Sequence, residues 1–178
     1  MSRKTLLTSK EIEIILHRLA CQLIENHNDF SNTVLIGLQP RGSFLAKRLA
    51  KLLTDEYQIN NLQLGLLDIT FYRDDFRRRD EPLEPTTTKI DFLIEGKKVI
   101  LIDDVLYTGR MVRAALDAMM DFGRPSSVEY LVLIERRFSR QLPVNADYVG
   151  RTIDSVDSER VEVQWKGNDG KVILTNNS

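Results

Sequence analysis

An apolar run that ends in two aspartates and a glycine turn is the feature that most constrains the fold of this chain. Residues 99–102 (Val-Ile-Leu-Ile) form an uninterrupted apolar run, which is typical of a strand buried on both faces of a parallel sheet. Asp103 and Asp104 follow, then a turn that ends at Gly109, then apolar positions at helical spacing over 112–119. This order predicts a strand–turn–helix unit whose turn lies where open α/β sheets bind ligands.

The remainder of the chain repeats this alternation of strands and helices. Thr8 and Glu11 form a capping-box pattern at the start of a predicted helix. By apolar spacing we predict helices over 9–27 and 44–52, and strands over 33–37, 62–71 and 128–134. These elements together predict a doubly wound α/β sheet with right-handed crossovers.

Two further segments do not follow that alternation. Residues 73–89 are strongly charged and contain two prolines, so we predict a long loop that is either a lid or locally disordered. From residue 148 onward, the alternating segments at 161–165 and 171–174 around a glycine-containing turn predict a hairpin.

Composition sets the class of protein. A length of 178 residues predicts one domain, and 25 basic against 26 acidic residues give a net charge of −1, which selects neither nucleic acids nor cations as partners. The single cysteine, Cys21, cannot form an internal disulfide and fits a reducing compartment. Because we find neither a secretion signal nor a membrane-spanning apolar stretch, we expect a cytoplasmic protein with no membrane partner.

The turn after the apolar run has the chemistry of a sugar-phosphate site. Free amides at a helix start, together with the Thr108 hydroxyl, suit a phosphate dianion. Asp103 and Asp104 would repel that phosphate, so we expect them to accept hydrogen bonds from vicinal hydroxyls or to approach a hydrated Mg²⁺. A phosphate cradle beside two diol acceptors describes a site for 5-phosphoribose.

Three other interpretations share features with this segment. The aspartate pair alone is equally well explained as a helix cap, and this alternative stays open. A nucleoside-triphosphate P-loop is disfavoured, because the only suitably spaced glycines, Gly37 and Gly42, are followed by Ser43-Phe44 and not by Lys-Ser/Thr. A phosphoacceptor receiver domain carries its aspartate pair on the first strand, whereas about a hundred residues precede this one.

Four segments together resemble a known family. Residues 99–111 resemble the thirteen-residue phosphoribosyl-pyrophosphate motif of type I phosphoribosyltransferases. With 67–75, 121–125 and 142–150, the chain is similar to the PyrR group over roughly residues 4–165. That group comprises bifunctional regulators of pyrimidine-operon attenuation that are also uracil phosphoribosyltransferases.

The resemblance implies an architecture and a reaction. The expected fold is the type I phosphoribosyltransferase fold, a central, mostly parallel sheet flanked by helices, as a single domain over 1–178. A flexible loop at about 73–89 and a small C-terminal hood from the 135–178 region belong to it. The implied reaction converts uracil and phosphoribosyl pyrophosphate to UMP and pyrophosphate, with Mg²⁺ held mainly by the substrate and not by protein ligands. A homo-oligomer, dimer or tetramer, is expected.

The resemblance also assigns roles to individual residues. It implies catalytic roles for Asp103, Asp104 and Arg41, and a pyrophosphate loop formed by Pro40, Arg41 and Gly42. Phosphate and ribose binding would fall to Val105, Leu106, Tyr107, Thr108, Gly109 and Arg110, and base binding in the hood to Arg136 and Val161. Tyr107 stands where related 6-oxopurine transferases carry an aspartate, which disfavours a purine substrate.

The regulatory half of the resemblance concerns RNA. It implies UMP-dependent binding of pyrimidine-operon leader RNA through a basic face, with Arg18, Arg137, Arg140 and Arg151 as candidate contacts. The chain departs from the usual pattern of the group at His17, Cys21, Asn26 and Asn145 and over 135–140. Two alternatives therefore accompany the bifunctional hypothesis: a nucleotide-sensing RNA-binding regulator with little turnover, and a phosphoribosyltransferase for another base.

Overall fold

A computed structural model describes residues 3–75 and 85–176 of the chain. The strands are β1 Arg3–Leu7, β2 Thr33–Leu38, β3 Gln63–Leu67, β4 Lys98–Leu106, β5 Ser127–Arg137, β6 Tyr148–Asp154, β7 Glu159–Lys166 and β8 Asp169–Asn176. The helices are α1 Ser9–His27, α2 Gly42–Asp55 and α3 Arg110–Met119, with short 3₁₀ turns at Thr70–Tyr72 and Met120–Phe122. The predicted helix over 9–27 is confirmed, and Thr8 and Glu11 form the reciprocal capping box.

The main sheet has five strands in the order β3-β2-β4-β5-β6, and all neighbouring strands are parallel. Its central strand, β4, explains the continuous apolar run. Ile100 and Ile102 belong to the core that includes α1 and α2, whereas Val99 and Leu101 belong to the core that includes α3. The predicted α/β sheet with helices on both faces is thereby confirmed.

A smaller antiparallel sheet, which we call the hood, has the strand order β1-β8-β7. The predicted hairpin is confirmed for β7 and β8, whose pairing runs from Glu159–Asn176 to Lys166–Asp169. Its extension back to residue 148 is wrong, because β6 pairs in parallel with β5 and forms the edge of the main sheet. β1, which the sequence did not predict, completes the hood by pairing with β8.

Strand boundaries differ from prediction in two places that bear on the site. The strand expected over 62–71 ends at Leu67, because the Asp68 carboxylate accepts hydrogen bonds from the amide and hydroxyl of Thr70 and starts a 3₁₀ turn. β4 continues past the aspartates to Leu106, where it still pairs with β5.

The predicted loop over 73–89 is described only in part. Residues 76–84 lie outside the described residues. The returning segment is bonded to β3, because Leu66 and Lys89 exchange two backbone hydrogen bonds of 2.8 Å. Within the described ranges, no helix is long and apolar enough to cross a membrane.

Candidate active site

Asp103 and Asp104 lie near the carboxyl end of the central strand and are only 4% and 5% exposed. Asp103 Oδ1 accepts a hydrogen bond from the Asp104 amide at 2.8 Å, and the Tyr130 hydroxyl lies 3.5 Å from Asp103 Oδ2. In the described part of the chain, Asp104 Oδ2 is buried and has no hydrogen-bond partner. Two buried acids with an unused acceptor indicate a ligand-binding role.

Burial dominates the electrostatics of this pair. It raises the pKa of Asp103 well above the ordinary value, and the neighbouring Asp104 charge adds to the effect. Burial also raises the pKa of Asp104, whereas the positive charge of Arg41 lowers it in part. The helix-cap interpretation of the aspartates is wrong, since Gly109 is the N-cap of α3 and Asp103 and Asp104 lie within β4.

The turn between β2 and α2 packs directly against β4. The Gln39–Pro40 peptide bond is cis, and Ser43 Oγ donates a hydrogen bond of 2.6 Å to the Pro40 carbonyl. Gly42 leaves no space for a side chain, because a Cβ there would lie 2.4 Å from the Ile102 carbonyl oxygen. The predicted pyrophosphate loop is thus held at the same edge of the sheet as the aspartates.

A cavity of about 580 Å³, which we call the central cavity, opens over this edge. Its walls come from the turn after β2, the ends of β4 and β5, the start of the 73–89 loop, the start of α3 with the residue Tyr107 before it, the loop between β6 and β7, and the start of β7. The residues that line it are Gln39, Pro40, Arg41, Arg73, Asp103, Asp104, Val105, Tyr107, Met111, Arg136, Asp157, Glu159, Arg160 and Val161. All the candidate catalytic residues and both candidate base-binding residues therefore share one cavity.

A second cavity of about 300 Å³, the turn cavity, adjoins it at Arg73, Val105, Tyr107 and Met111. It is lined by Val105, Leu106, Tyr107, Thr108, Gly109 and Arg110, which are the six candidate phosphate and ribose residues, and by Arg73, Asp74, Asp75, Met111, Val112 and Tyr130.

The turn proper is shorter than predicted. Because Val105 and Leu106 are strand residues, it runs only from Tyr107 to Gly109, where Gly109 has a φ of +89°. In the ranges 3–75 and 85–176, no backbone carbonyl accepts a hydrogen bond from the three amides of this turn. Those amides at the start of α3 form a cradle suited to a phosphate.

Arg136 joins the main sheet to the loop between β6 and β7. It is only 4% exposed, its Nε donates to Ser155 Oγ at 2.7 Å, and its Nη2 donates to the Val156 carbonyl at 2.9 Å. Its guanidinium also stacks on the ring of Tyr107, whose hydroxyl lies 3.2 Å from Asp157 Oδ1. The wall predicted to bind the base is therefore rigidly built.

Comparisons with known proteins agree with this geometry. The phosphoribosyl transferase domain family matches residues 2–167. The bifunctional protein PyrR of Bacillus subtilis (strain 168) is 42% identical over 164 residues, which cover 91% of this chain and 90% of that protein. The bifunctional protein PyrR of Enterococcus faecalis (strain ATCC 47077 / OG1RF) is 41% identical over 170 residues, 96% of this chain and 94% of that protein. This chain belongs to the PyrR family of phosphoribosyltransferases.

Solved structures extend the likeness of this PyrR-family chain to the fold. A hypoxanthine phosphoribosyltransferase from Trypanosoma cruzi, in complex with the product IMP, has a TM-score of 0.66 at 20% identity, covering 85% of this chain and 76% of that chain. A hypoxanthine phosphoribosyltransferase from Staphylococcus aureus has a TM-score of 0.64 at 22% identity, covering 88% and 79%. At these identities the comparison shows the type I phosphoribosyltransferase fold alone.

The four candidate RNA-binding arginines of this PyrR-family chain line neither cavity, and each has a partner within the chain. Arg18 donates to the Val149 and Gly150 carbonyls. Arg151 donates to the Leu6 carbonyl.

The other two of these arginines are paired with acids. Arg137 makes a two-point ion pair with Asp154, at 2.6 and 2.9 Å. Arg140 is bonded to the Tyr107 carbonyl and to Glu135.

Three of the positions at which the chain departs from the usual PyrR pattern lie on α1 and contact other elements. His17 Nδ1 and Cys21 Sγ lie 3.2 and 3.4 Å from the Tyr57 hydroxyl. Asn26 donates to the Tyr148 hydroxyl at 2.9 Å, whereas Asn145 is exposed. The side chains of His17, Cys21 and Asn26 are therefore accounted for by contacts between elements.

Sequence reasoning missed Arg73, which lines both cavities. Its side chain is 17% exposed and makes a two-point contact with Asp75, at 2.8 and 2.7 Å. The Tyr-Arg-Asp-Asp run over 72–75, where the charged segment begins, is the available signal. Nothing local indicated that this arginine would lie at the junction of the two cavities.

Proposed function

We propose that this chain transfers the phosphoribosyl group of phosphoribosyl pyrophosphate to uracil, giving UMP and pyrophosphate. The observation that carries the proposal is the union of two buried acids, an amide cradle and an arginine-lined wall in adjoining cavities. A donor with a 5-phosphate, a diol and a diphosphate requires those three kinds of partner. Membership of the phosphoribosyltransferase family supports the same class of reaction.

In this proposal each group of residues binds one part of the donor. The Tyr107–Gly109 amides and the Thr108 hydroxyl bind the 5′-phosphate, while Asp103 and Asp104 accept hydrogen bonds from the ribose 2′- and 3′-hydroxyls. Arg41 and Arg73, which line the central cavity, neutralise charge on the diphosphate. Because breaking the anomeric C–O bond moves negative charge onto the leaving diphosphate, cations at this position lower the barrier.

The residues present fit a donor that carries Mg²⁺. Asp104 Oδ2 is a buried carboxylate oxygen without a protein partner in the described ranges, and carboxylate oxygens and hydrated Mg²⁺ are compatible ligands. Asp103 and Asp104 would hold the ion through its waters and through the ribose hydroxyls. When bound, Mg²⁺ supplies positive charge against the departing diphosphate. The protein orients the reacting groups and excludes water.

The choice of uracil rests on the wall of the central cavity. Tyr107 and Arg136 form this wall, and Tyr107 provides no carboxylate to accept a proton from a purine ring. The rigid Arg136 guanidinium supplies donors for the carbonyl oxygens of a pyrimidine. A smaller base with two carbonyl groups is therefore favoured over a 6-oxopurine.

The test is a pyrophosphate-release assay with phosphoribosyl pyrophosphate and Mg²⁺, in which uracil, hypoxanthine and guanine are compared. We expect turnover with uracil and loss of turnover on adding a chelator. Turnover with hypoxanthine or guanine but not with uracil would identify a transferase for another base. Tight UMP binding without turnover would identify a nucleotide sensor.

We further propose that the chain is a cytoplasmic homo-oligomer whose binding of pyrimidine-operon leader RNA depends on UMP. The name of the relatives, bifunctional protein PyrR, favours this second activity. Because arginines would contact phosphates, binding should weaken steeply with salt and with Arg18→Ala. RNA binding that does not depend on UMP, or no RNA binding at low salt, would contradict the regulatory part of the proposal and leave only the enzyme activity. Light scattering would give the number of subunits.

A further inference from the structure

A short segment, Arg140 to Leu142, lies directly behind the turn Tyr107–Gly109, and we call it the backing segment. Arg140 Nη1 donates to the Tyr107 carbonyl oxygen at 2.5 Å. The amides of Gln141 and Leu142 both donate to the Thr108 carbonyl oxygen, at 3.0 and 3.1 Å. The carbonyl groups of the first two residues of the turn are therefore held by one neighbouring segment.

These contacts fix the direction of the turn's amides. In a planar trans peptide, the carbonyl of one residue and the N–H of the next point in opposite directions. When the Tyr107 carbonyl points to Arg140, the Thr108 N–H points away from the backing segment. When the Thr108 carbonyl points to Gln141 and Leu142, the Gly109 N–H likewise points away from the backing segment.

The position of the turn cavity agrees with this direction. Tyr107, Thr108 and Gly109 line the cavity, whereas none of the three backing residues is among its lining residues in the described part of the chain. Behind Gly109, a Cβ built on that residue would lie 3.4 Å from Leu142 Cβ. The cavity and the backing segment therefore lie on opposite sides of the turn.

We infer that Arg140 is a positioning residue for the phosphate group: it holds the Tyr107 carbonyl so that the Thr108 amide points into the turn cavity. The inference rests on the proposed function and deepens it. It also gives Arg140 a role other than the RNA contact predicted from the sequence. The Arg140 side chain is suited to this role because it is only 22% exposed and its other end is paired with Glu135 at 2.9 Å.

Two roles of Arg140 must be separated by experiment. A purely structural anchor would change the free energy of unfolding and affect all ligands alike. A positioning residue would selectively weaken ligands that carry a phosphate, because only those use the Thr108 amide. The informative quantity is therefore the ratio of the KM for phosphoribosyl pyrophosphate, which carries a phosphate, to the KM for uracil, which does not.

The principal variant is Arg140→Gln, which loses the charged donor to Tyr107. Losing a hydrogen bond from a charged group predicts a rise of about tenfold or more in the KM for phosphoribosyl pyrophosphate and the Kd for UMP. The KM for uracil should stay within about threefold of the parent value, because uracil carries no phosphate. Arg140→Lys retains one charged donor and should restore most of the UMP affinity. Arg140→Met, which also lacks the charged donor, replaces Arg140→Gln if that variant does not fold.

Two further variants complete the set. Glu135→Gln removes the ion pair but leaves the Tyr107 contact, so the ratio of the two KM values should stay near that of the parent. Arg124→Gln, at an exposed position after α3, is the matched control for removal of one arginine charge. An effect of Glu135→Gln equal to that of Arg140→Gln would overturn the inference.

The outcomes separate the inference from the function on which it rests. If the parent binds UMP and folded Arg140→Gln binds it equally well, the positioning role is refuted and the proposed function stands. If Arg140→Gln loses RNA binding but keeps the parent ratio, Arg140 is an RNA contact and the inference is again refuted. A parent that neither binds UMP nor turns over refutes the proposed function, and the inference falls with it.

Discussion

The Arg136 guanidinium lies 3.9 Å from the centroid of the Tyr107 ring. Tyr107 belongs to the turn that we propose binds the 5′-phosphate, and Arg136 belongs to the wall that we propose binds the base. Arg136 is held on its other side by Ser155 Oγ and the Val156 carbonyl. The contact therefore joins the two ends of the substrate site, so a change at either residue should be detected at both ends.

Replacement of the Tyr107 ring tests that relationship. A cation–π contact in a desolvated site contributes about 2 kcal/mol, so Tyr107→Leu should raise the KM for uracil by about tenfold or more. Tyr107→Phe keeps the ring and loses only the hydroxyl near Asp157, so its KM for uracil should stay within about threefold of the parent. Steady-state kinetics checks both values, and equal effects of the two variants would contradict the prediction.

Removal of the second aspartate tests the ribose site. Asp104→Ala should lower kcat/KM by about a hundredfold or more, because it removes an acceptor for a ribose hydroxyl that acts at the reacting centre. The fold should persist, since Asp104 Oδ2 has no protein partner to leave unsatisfied among the described residues. Circular dichroism checks the fold, and activity within a few-fold of the parent would refute the assigned role.

The pH dependence of stability tests the burial of Asp103. Its pKa is raised well above 3.8, first by burial and then by the Asp104 charge. Between 3.8 and that higher pKa the folded protein binds more protons than the unfolded chain, so stability falls as the pH rises through this interval. An asparagine does not titrate, so Asp103→Asn does not undergo this loss. The difference in the free energy of unfolding between Asp103→Asn and the parent should therefore grow as the pH rises.

Urea unfolding at several pH values measures this gain. A buried charge with incomplete partners predicts a gain of about 1–3 kcal/mol near neutral pH that shrinks towards about pH 4. Asp91→Asn, at an exposed position, is the matched control. A difference between Asp103→Asn and the parent that does not change with pH would contradict the prediction.

Arg48 is predicted to stabilise the hood. Its guanidinium donates to the Gly167 and Asn168 carbonyls at 2.5 and 2.6 Å and lies 4.4 Å from the centroid of the Trp165 ring. Arg48→Ala should therefore lower the free energy of unfolding by about 2 kcal/mol, with Arg48→Lys in between. Chemical unfolding followed by the fluorescence of Trp165, the single tryptophan, provides the measurement. A loss below about 0.5 kcal/mol would mean that the contact is too solvated to matter.

Local signals made much of this structure predictable. The helix over 9–27 follows from a capping box and a 3.6-residue spacing, both contained within the segment itself. The apolar run at 99–102 required burial on both faces, so it identified the central strand and the edge at which Asp103 and Asp104 lie.

Features that depend on distant partners were not predictable in the same way. β1 is a strand because it pairs with β8, whose residues lie about 170 positions away along the chain. Arg18 and Arg151 look like free basic residues in the sequence, whereas the structure binds both to backbone carbonyls of other elements. Their charge says little about a partner until those carbonyls are located.

The close approach of Gly42 to β4 has a consequence for how the site can change over time. Since even a methyl group at this position would overlap the Ile102 carbonyl oxygen, the loop that we propose binds the leaving group and the strand that carries Asp103 and Asp104 have a fixed spacing. Mutations that shift one of them must shift the other. Divergence of specificity among descendants of this chain is therefore expected in side chains that line the central cavity and can change without moving the Gly42 turn against β4.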